Sequence, residues 1–109
     1  MKASKTSASR PHDAAVVDML KADPEFADAY LAVALEEVDE PGGQAALLAA
    51  LRHIAEAQGM AAVAQRAGIP RESLYRALSP SGNPTIKTLL AVLGAAGLQL
   101  AVTRPERQA

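Results

Sequence analysis

Apolar residues recur at helical spacing along most of the chain. The clearest stripe runs through residues 24–38, directly after Asp23-Pro24-Glu25, which offers a capping carboxylate and a proline for the first helical position. Glycines end several of the stripes, as they commonly end helices, at Gly59, Gly68 and Gly97. The pattern therefore predicts helices over residues 14–21, 24–38, 44–58, 61–67, 69–78 and 84–96.

Two segments depart from helical periodicity. Ser79 to Pro84 is dense in turn-forming residues and is predicted to be a loop, with Asn83 capping the next helix and Pro84 at its first position. Residues 98–103 alternate between apolar and more polar positions, which predicts a short strand. A lone strand leaves its backbone groups unpaired, so we expect it to pair with a terminal segment or, more simply, with the same strand of a second subunit.

The pattern also divides the chain. Residues 1–12 are small, polar and basic, and no apolar stripe crosses them. We expect a mobile N-terminal segment over residues 1–22, in which only the short helix forms. The later helices and the strand then form one domain over residues 23–103, followed by a tail over residues 104–109.

Composition narrows the class of protein. The 109 residues include 25 alanines, one Phe, two Tyr and no Trp, which predicts a core of closely packed aliphatic helices. The absence of cysteine excludes disulfides and thiolate metal sites, and His12 and His53 alone do not make a metal site. Charges or glycines interrupt every apolar run before it reaches the length of a membrane span, about 20 residues. No apolar stretch of secretory type follows the basic start, so we expect a cytoplasmic protein without metal or other cofactor.

The net charge of −1 conceals an uneven distribution. Residues 1–43 carry four basic and nine acidic side chains, a net charge of −5, whereas residues 44–109 carry seven basic and three acidic ones, a net charge of +4. Seven of the acids lie between Asp23 and Glu40, where there is no base. This distribution favours two surfaces for two different partners.

Residues 60–78 have the pattern of a helix-turn-helix, two short helices joined by a tight turn. Ala64 provides the small side chain where the helices cross, Gly68 the positive φ of the turn, and Leu74 the anchor beneath the second helix. The other face of that second helix has no apolar partner, and its side chains are of the kinds with which recognition helices contact bases and phosphates. They are Arg71, Glu72, Ser73, Tyr75 and Arg76.

Met60 to Leu78 resembles the repressor-type, Cro-like helix-turn-helix. Arg71 to Ser79 and the earlier Gly59-Met60 resemble most closely the addiction-module antidote proteins, the antitoxin partners of small RelE/ParE-like toxins. Three further segments are similar to that family, namely Ala29-Tyr30-Leu31, Gly82-Asn83-Pro84 and the closing Leu98 to Leu100. The resemblance covers about residues 23–103. It implies an all-α fold, a repressor-like helix-turn-helix domain of five helices with a preceding acidic helix and one short C-terminal strand that pairs in a dimer.

The resemblance also implies a repressor that binds double-stranded operator DNA sequence-specifically as a homodimer. The outer face of the second motif helix would enter the major groove, and Ser79, Asn83 and Lys87 would lie near phosphates. Arg66 is a further candidate for DNA contact. The first motif helix begins with Met60-Ala61-Ala62 where such repressors often carry Ser, Thr or Gln, so its backbone N–H groups would have to bind the phosphate.

The same resemblance implies that the antitoxin neutralises its toxin by direct binding. The toxin of such a module acts on RNA and is typically basic, so the acidic stretch is the candidate docking surface. The candidate residues are Asp23, Glu25, Asp28, Glu36 and Glu37.

Four further side chains are expected to have structural roles. Phe26 and Tyr30 are expected to pack between helices, and Glu72 to cap its helix rather than contact a cytosine. His53 is expected to be structural or exposed, because no nucleophile or second base accompanies it.

Two alternatives to an antitoxin repressor stay open. The first is a protein-interaction module whose helix-turn-helix has lost DNA binding, which the near-neutral charge and Met60-Ala61-Ala62 favour. The second is a transcriptional regulator without a toxin. An enzyme is not expected, since the sequence has no metal set, no nucleophile with a base and no phosphate-binding glycine loop.

Overall fold

The chain folds into six α-helices in the computed structural model, which describes the backbone of residues 2–104 and the side chains of residues 12–104. In chain order the helices are α1 (Lys2–Ala22), α2 (Phe26–Glu36), α3 (Gly43–Gln58), α4 (Met60–Ala67), α5 (Arg71–Ala77) and α6 (Ile86–Ala95). The structure is thus all-helical, as predicted, and no strand occurs within residues 2–104. Most of the predicted tail, residues 105–109, lies outside the described residues.

Helix α3 is the centre of the fold, because it contacts α1, α2 and α4, while α4 contacts α5 and α6. Its predicted inward face is confirmed by the burial of Leu48, Leu51, Ile54 and Ala55. The other helices contribute further aliphatic side chains to the same core, among them Val16, Leu31, Val63, Leu74 and Val92. Phe26 and Tyr30 are partly buried against this core, so the prediction that they pack between helices is confirmed.

The helix in the N-terminal segment is longer than the predicted short helix at 14–21. Lys2–Ala22 form one helix, α1, which contacts α3 and α2. Val16 and Leu20 lie one helical turn apart and are buried in the core. The sequence did not show this extent because no apolar stripe crosses the first half of α1. The packed core therefore begins in α1 and not at residue 23.

The predicted strand over residues 98–103 is wrong, since residues 98–104 have no regular secondary structure. The Leu98 N–H donates to the Leu93 carbonyl at 2.8 Å, and Gly97 has a φ of +85°, so this stretch first closes α6. Beyond it, Leu100 and Val102 are 53% and 99% exposed. Alternation of apolar and polar residues indicates extended chain, but a strand also requires a partner's hydrogen bonds, which the described part of one copy does not supply.

Two predicted helix N-caps are also wrong. Thr85, not Asn83, caps α6, and its hydroxyl accepts a hydrogen bond from the Thr88 N–H at 3.1 Å. Thr85 directly precedes the first helical residue, whereas Asn83 lies two positions too early to reach that N–H. At α2 the group that accepts from the Phe26 N–H is the backbone carbonyl of Asp23, at 2.9 Å, and no side chain caps this helix.

Candidate nucleic-acid interface

The turn between α4 and α5 fixes the angle at which α5 leaves the core. Gly68 has a φ of +75°, in the left-handed region that favours glycine. The Ile69 N–H donates to the Ala64 carbonyl at 3.1 Å and the Gly68 N–H to the Gln65 carbonyl at 3.2 Å, which satisfies the end of α4. Ala64 is only 3% exposed, in agreement with the predicted need for a small side chain there.

Helix α5 is held from below and at its end. Leu74 and Leu78 are completely or almost completely buried, so one face of the helix is anchored in the core. The guanidinium of Arg52 on α3 donates from Nη1 to the Leu78 carbonyl at 2.6 Å, where the helix leaves carbonyl groups unpaired. Sequence analysis did not find Arg52, because nothing in the sequence relates it to a carbonyl 26 residues away.

The opposite face of α5 is exposed and polar, as predicted. Arg71, Glu72, Tyr75 and Arg76 are exposed and Ser73 is half-buried. The Arg71 guanidinium lies over the Tyr75 ring, 5.7 Å from its centroid, which is a cation–π contact. This stacking restricts the orientation of both side chains on the exposed face.

An open cleft of about 430 Å³ lies between α5 and the start of α6. It brings four of the predicted DNA-contact residues together, namely Ser73, Arg76, Ser79 and Asn83. The Ser79 hydroxyl donates to the Arg76 carbonyl at 2.9 Å, which ties the loop to the end of α5. Lys87 is exposed on the first turn of α6 but does not line this cleft.

Unlike the predicted DNA-contact residues of the cleft, Arg66 forms hydrogen bonds with the end of α6 and with Gln58. It donates from Nε to the Ala95 carbonyl at 2.8 Å and from Nη2 to the Gln58 side-chain oxygen at 2.9 Å. Gln58 in turn donates to the Ala96 carbonyl at 2.9 Å. Arg66 therefore stabilises the C-terminal end of α6, where a cation interacts favourably with the helix dipole.

The five acidic candidates for toxin contact do not form one cluster. All of them are exposed: Asp23, Glu25, Asp28, Glu36 and Glu37. Asp28 borders an apolar groove of about 220 Å³ whose other residues include Leu31, Leu35 and Leu100. Glu37 borders a separate cleft of about 280 Å³. The acidic stretch therefore contributes to two concave surfaces.

His53 is buried below this second cleft, at 3% exposure, and the expectation of a structural role is confirmed. The Tyr30 hydroxyl lies 2.7 Å from its Nδ1, and the Tyr30 ring is stacked between Phe26 and His53. Asp13 Oδ1 lies 3.0 Å from Nε2 without the alignment of a hydrogen bond. Burial lowers the pKa of His53, against the opposing effect of the Asp13 charge. Burial likewise raises the pKa of Tyr30, and Asp13 adds to that rise.

Two other kinds of site are not found in the described part of the chain. Residues 12–104 contain no group of three or more His, Cys, Asp or Glu side chains placed to hold a metal ion. No helix within residues 2–104 is both long and apolar enough to cross a membrane.

These features define a small all-helical protein with a polar, partly basic helix face and an acidic helix on another part of its surface. A family model described as "Probable addiction module antidote protein" matches residues 9–104. The chain belongs to this family of addiction-module antidote proteins. Antidote proteins are the antitoxins of such modules and are typically not enzymes, so membership implies a toxin as partner.

The comparisons with individual proteins give no further information on function. An uncharacterized protein of Haemophilus influenzae (strain ATCC 51907 / DSM 11121 / KW20 / Rd) is 44% identical over 68 residues. The aligned part covers 62% of this chain and 70% of the relative. No solved structure matches the chain significantly.

Proposed function

We propose that this antidote protein is a sequence-specific DNA-binding autorepressor whose recognition helix is α5. The observation that carries the proposal is the exposed face of α5, where Arg71 and Tyr75 are stacked on each other and Arg76 follows on the next turn. A helix anchored by Leu74 and exposed on its polar side has the form of a helix-turn-helix recognition helix, with α4 crossing the backbone.

The cleft beside α5 fits the DNA backbone in this proposal. Its hydroxyl and amide groups, together with Arg76, are suitable donors to phosphate oxygens, and Lys87 extends the surface along α6. At the start of α4 there is no polar side chain, so the free backbone N–H groups of Met60-Ala61-Ala62 supply the contact there.

Binding as a homodimer is the second part of the proposal. Four apolar side chains on α6 and the segment after it are exposed, namely Ile86, Leu90, Leu100 and Val102. Contact of this apolar surface with the same surface of a second copy removes these side chains from water. Two copies would then contact half-sites about one DNA turn apart.

Neutralisation of a RelE/ParE-like toxin is the third part. The exposed carboxylates of and around α2 (Asp23, Glu25, Asp28, Glu36 and Glu37) are the proposed contacts. A toxin that acts on RNA carries basic surface, and its attraction to this acidic surface favours rapid association. These carboxylates lie on α2 and on the turns at its two ends, whereas the proposed DNA surface belongs to α5 and α6, so each partner has its own elements.

The experiment that tests the proposal measures fluorescence anisotropy of labelled duplex from upstream of the chain's own gene. A shuffled duplex of the same composition serves as control at the same salt concentration. We expect affinity for the upstream DNA at least about 1,000-fold higher, with two chains bound per operator. If the chain binds a toxin but has equal affinity for both duplexes, the protein-interaction module is the correct alternative. If the chain binds the upstream DNA specifically but binds no toxin, the stand-alone regulator is the correct alternative.

A further inference from the structure

The cleft bordered by Glu37 lies where α1, α2 and α3 meet. We call it the Tyr30 cleft and define it by Asp13 on α1, Tyr30 and Val33 on α2, Glu37 just after α2, and His53 on α3. Its volume is about 280 Å³, large enough to admit one long side chain of a partner. Alanines of α2 and α3 and the exposed His12 of α1 form the rest of its wall.

The wall of the Tyr30 cleft is apolar, but its charged groups are acidic. Val33 is 52% exposed beside the alanines. Asp13 is 42% exposed at its side chain, and Glu37 is exposed. Among the described residues that line the cleft there is no Lys or Arg. Two carboxylates thus stand above an aliphatic wall with no lysine or arginine in the described lining.

The base of the cleft is polar and imperfectly satisfied. His53 is nine-tenths buried or more, and within the described residues its Nε2 has no hydrogen-bond partner. Burial lowers the pKa of His53 and so disfavours the positive charge that would neutralise the Asp13 carboxylate, which lies 3.0 Å away.

We propose that the Tyr30 cleft receives an arginine side chain of the module's toxin. This inference rests on the proposed neutralisation of the toxin by direct binding. The aliphatic stem of an arginine packs against Val33 and the alanines, as long basic side chains do on apolar surface. Its planar guanidinium has five donors and pairs with both carboxylates, which a lysine ammonium does less well.

Two pairs of charge-neutralising variants test the proposal against the toxin of the chain's own module by isothermal titration calorimetry. Asp13→Asn with Glu37→Gln removes both carboxylates of the cleft. Asp39→Asn with Glu40→Gln removes two exposed carboxylates of the neighbouring turn that do not line the cleft. We expect the cleft pair to weaken toxin affinity about tenfold or more, and the control pair less than about threefold, because charges in contact matter more than charges nearby.

A steric variant tests the same cleft without changing any charge. Ala46 is exposed and lines the cleft, so Ala46→Leu fills it without altering any carboxylate. We expect this variant to weaken toxin binding as well, while helicity by circular dichroism and affinity for the upstream DNA stay unchanged. If Asp13→Asn lowers helicity, Glu37→Gln alone carries the charge test, since Glu37 is exposed.

The outcomes separate this inference from the proposed function. Equal toxin affinities of the cleft pair and the control pair, or full affinity with the cleft filled, overturn the inference while leaving neutralisation intact. If the unchanged chain binds no toxin, both this inference and the proposed neutralisation are overturned. The proposed DNA binding is tested by its own experiment. A weaker dimer by sedimentation velocity, with unchanged toxin affinity, assigns the cleft to a second copy and also overturns it.

Discussion

Arg52 holds the end of the proposed recognition helix, because its Nη1 donates to the carbonyl oxygen of Leu78 at 2.6 Å. Arg52 lies in the middle of α3, and Leu78 is the C-cap residue directly after α5. The core helix and the exposed helix are therefore joined by a charged hydrogen bond in addition to the apolar contacts of Leu74.

Removal of this bond should affect both stability and DNA binding. We expect Arg52→Ala to lower the free energy of unfolding by about 1–2 kcal/mol, since a hydrogen bond to a charged group is lost. Upstream-DNA affinity should fall as well, because the end of α5 is less well fixed. Urea unfolding and fluorescence anisotropy measure the two effects. Lys87→Ala is the control for stability, as Lys87 is exposed and makes no such bond; an unfolding midpoint of Arg52→Ala equal to that of the control contradicts the prediction.

Arg71 and Arg66 should behave in opposite ways when each is replaced by alanine. Arg71 is exposed and stacks on Tyr75, so Arg71→Ala should weaken specific DNA binding by about 1–3 kcal/mol with little loss of stability. Arg66 bonds to the end of α6, so Arg66→Ala should lower the unfolding midpoint instead. Anisotropy titrations and thermal unfolding of both variants distinguish the two roles. Operator affinity of Arg71→Ala equal to that of the unchanged chain would remove α5 from the interface.

Stability should decrease as the pH falls below about 6.5, the ordinary pKa of histidine. Because burial lowers the pKa of His53 in the folded state, the unfolded chain binds the proton more readily, and acid favours unfolding. The groups that face His53 are Asp13 and Tyr30, with Arg52 and Glu56 nearby on α3.

The measurement compares free energies of unfolding at pH 7 and pH 5 for the unchanged chain and His53→Gln. Glutamine retains a polar group beside Tyr30 but does not titrate, so the decrease between the two pH values should be smaller in the variant. His12→Gln is the matched control, because His12 is exposed. An equal pH dependence of the unchanged chain and His53→Gln contradicts this assignment.

Two glycines of the C-terminal half should respond differently to alanine. A Cβ at Gly82 would collide with the backbone carbonyl of Ala77, where the loop packs on the end of α5. We expect Gly82→Ala to destabilise the fold by about 1–3 kcal/mol and to weaken DNA binding by displacing the loop that carries Ser79 and Asn83. Gly94 lies inside α6, and no packed neighbour comes within 4 Å of the position that an alanine methyl would take, so Gly94→Ala should stabilise by about 0.5–1 kcal/mol. Thermal unfolding of the two variants checks both signs, and an unchanged or raised unfolding midpoint for Gly82→Ala would contradict the collision with the Ala77 carbonyl.

Local signals explain which parts of the fold could be predicted. Gly68 and Leu74 act through the backbone conformation and burial of their own positions, and both were placed correctly. Arg52 and Arg66 bond to carbonyls 26 and 29 residues away, so their roles depend on the packing of distant helices. The strand over residues 98–103 failed for a related reason, because an alternating pattern does not specify a partner for its hydrogen bonds.

The helix-end contacts of Arg52 and Arg66 also limit how strongly salt should affect DNA binding. Of the seven basic residues in the C-terminal part of the chain, these two are directed to carbonyl groups. The exposed cations on α5 and at the start of α6 are Arg71, Arg76 and Lys87. Each cation on a phosphate releases about 0.9 counterion, so Arg76 and Lys87 of one protomer contribute a slope of about −1.8 to log K against log salt concentration. Discrimination between operators by this protein should therefore depend more on the fit of α5 in the groove than on counterion release.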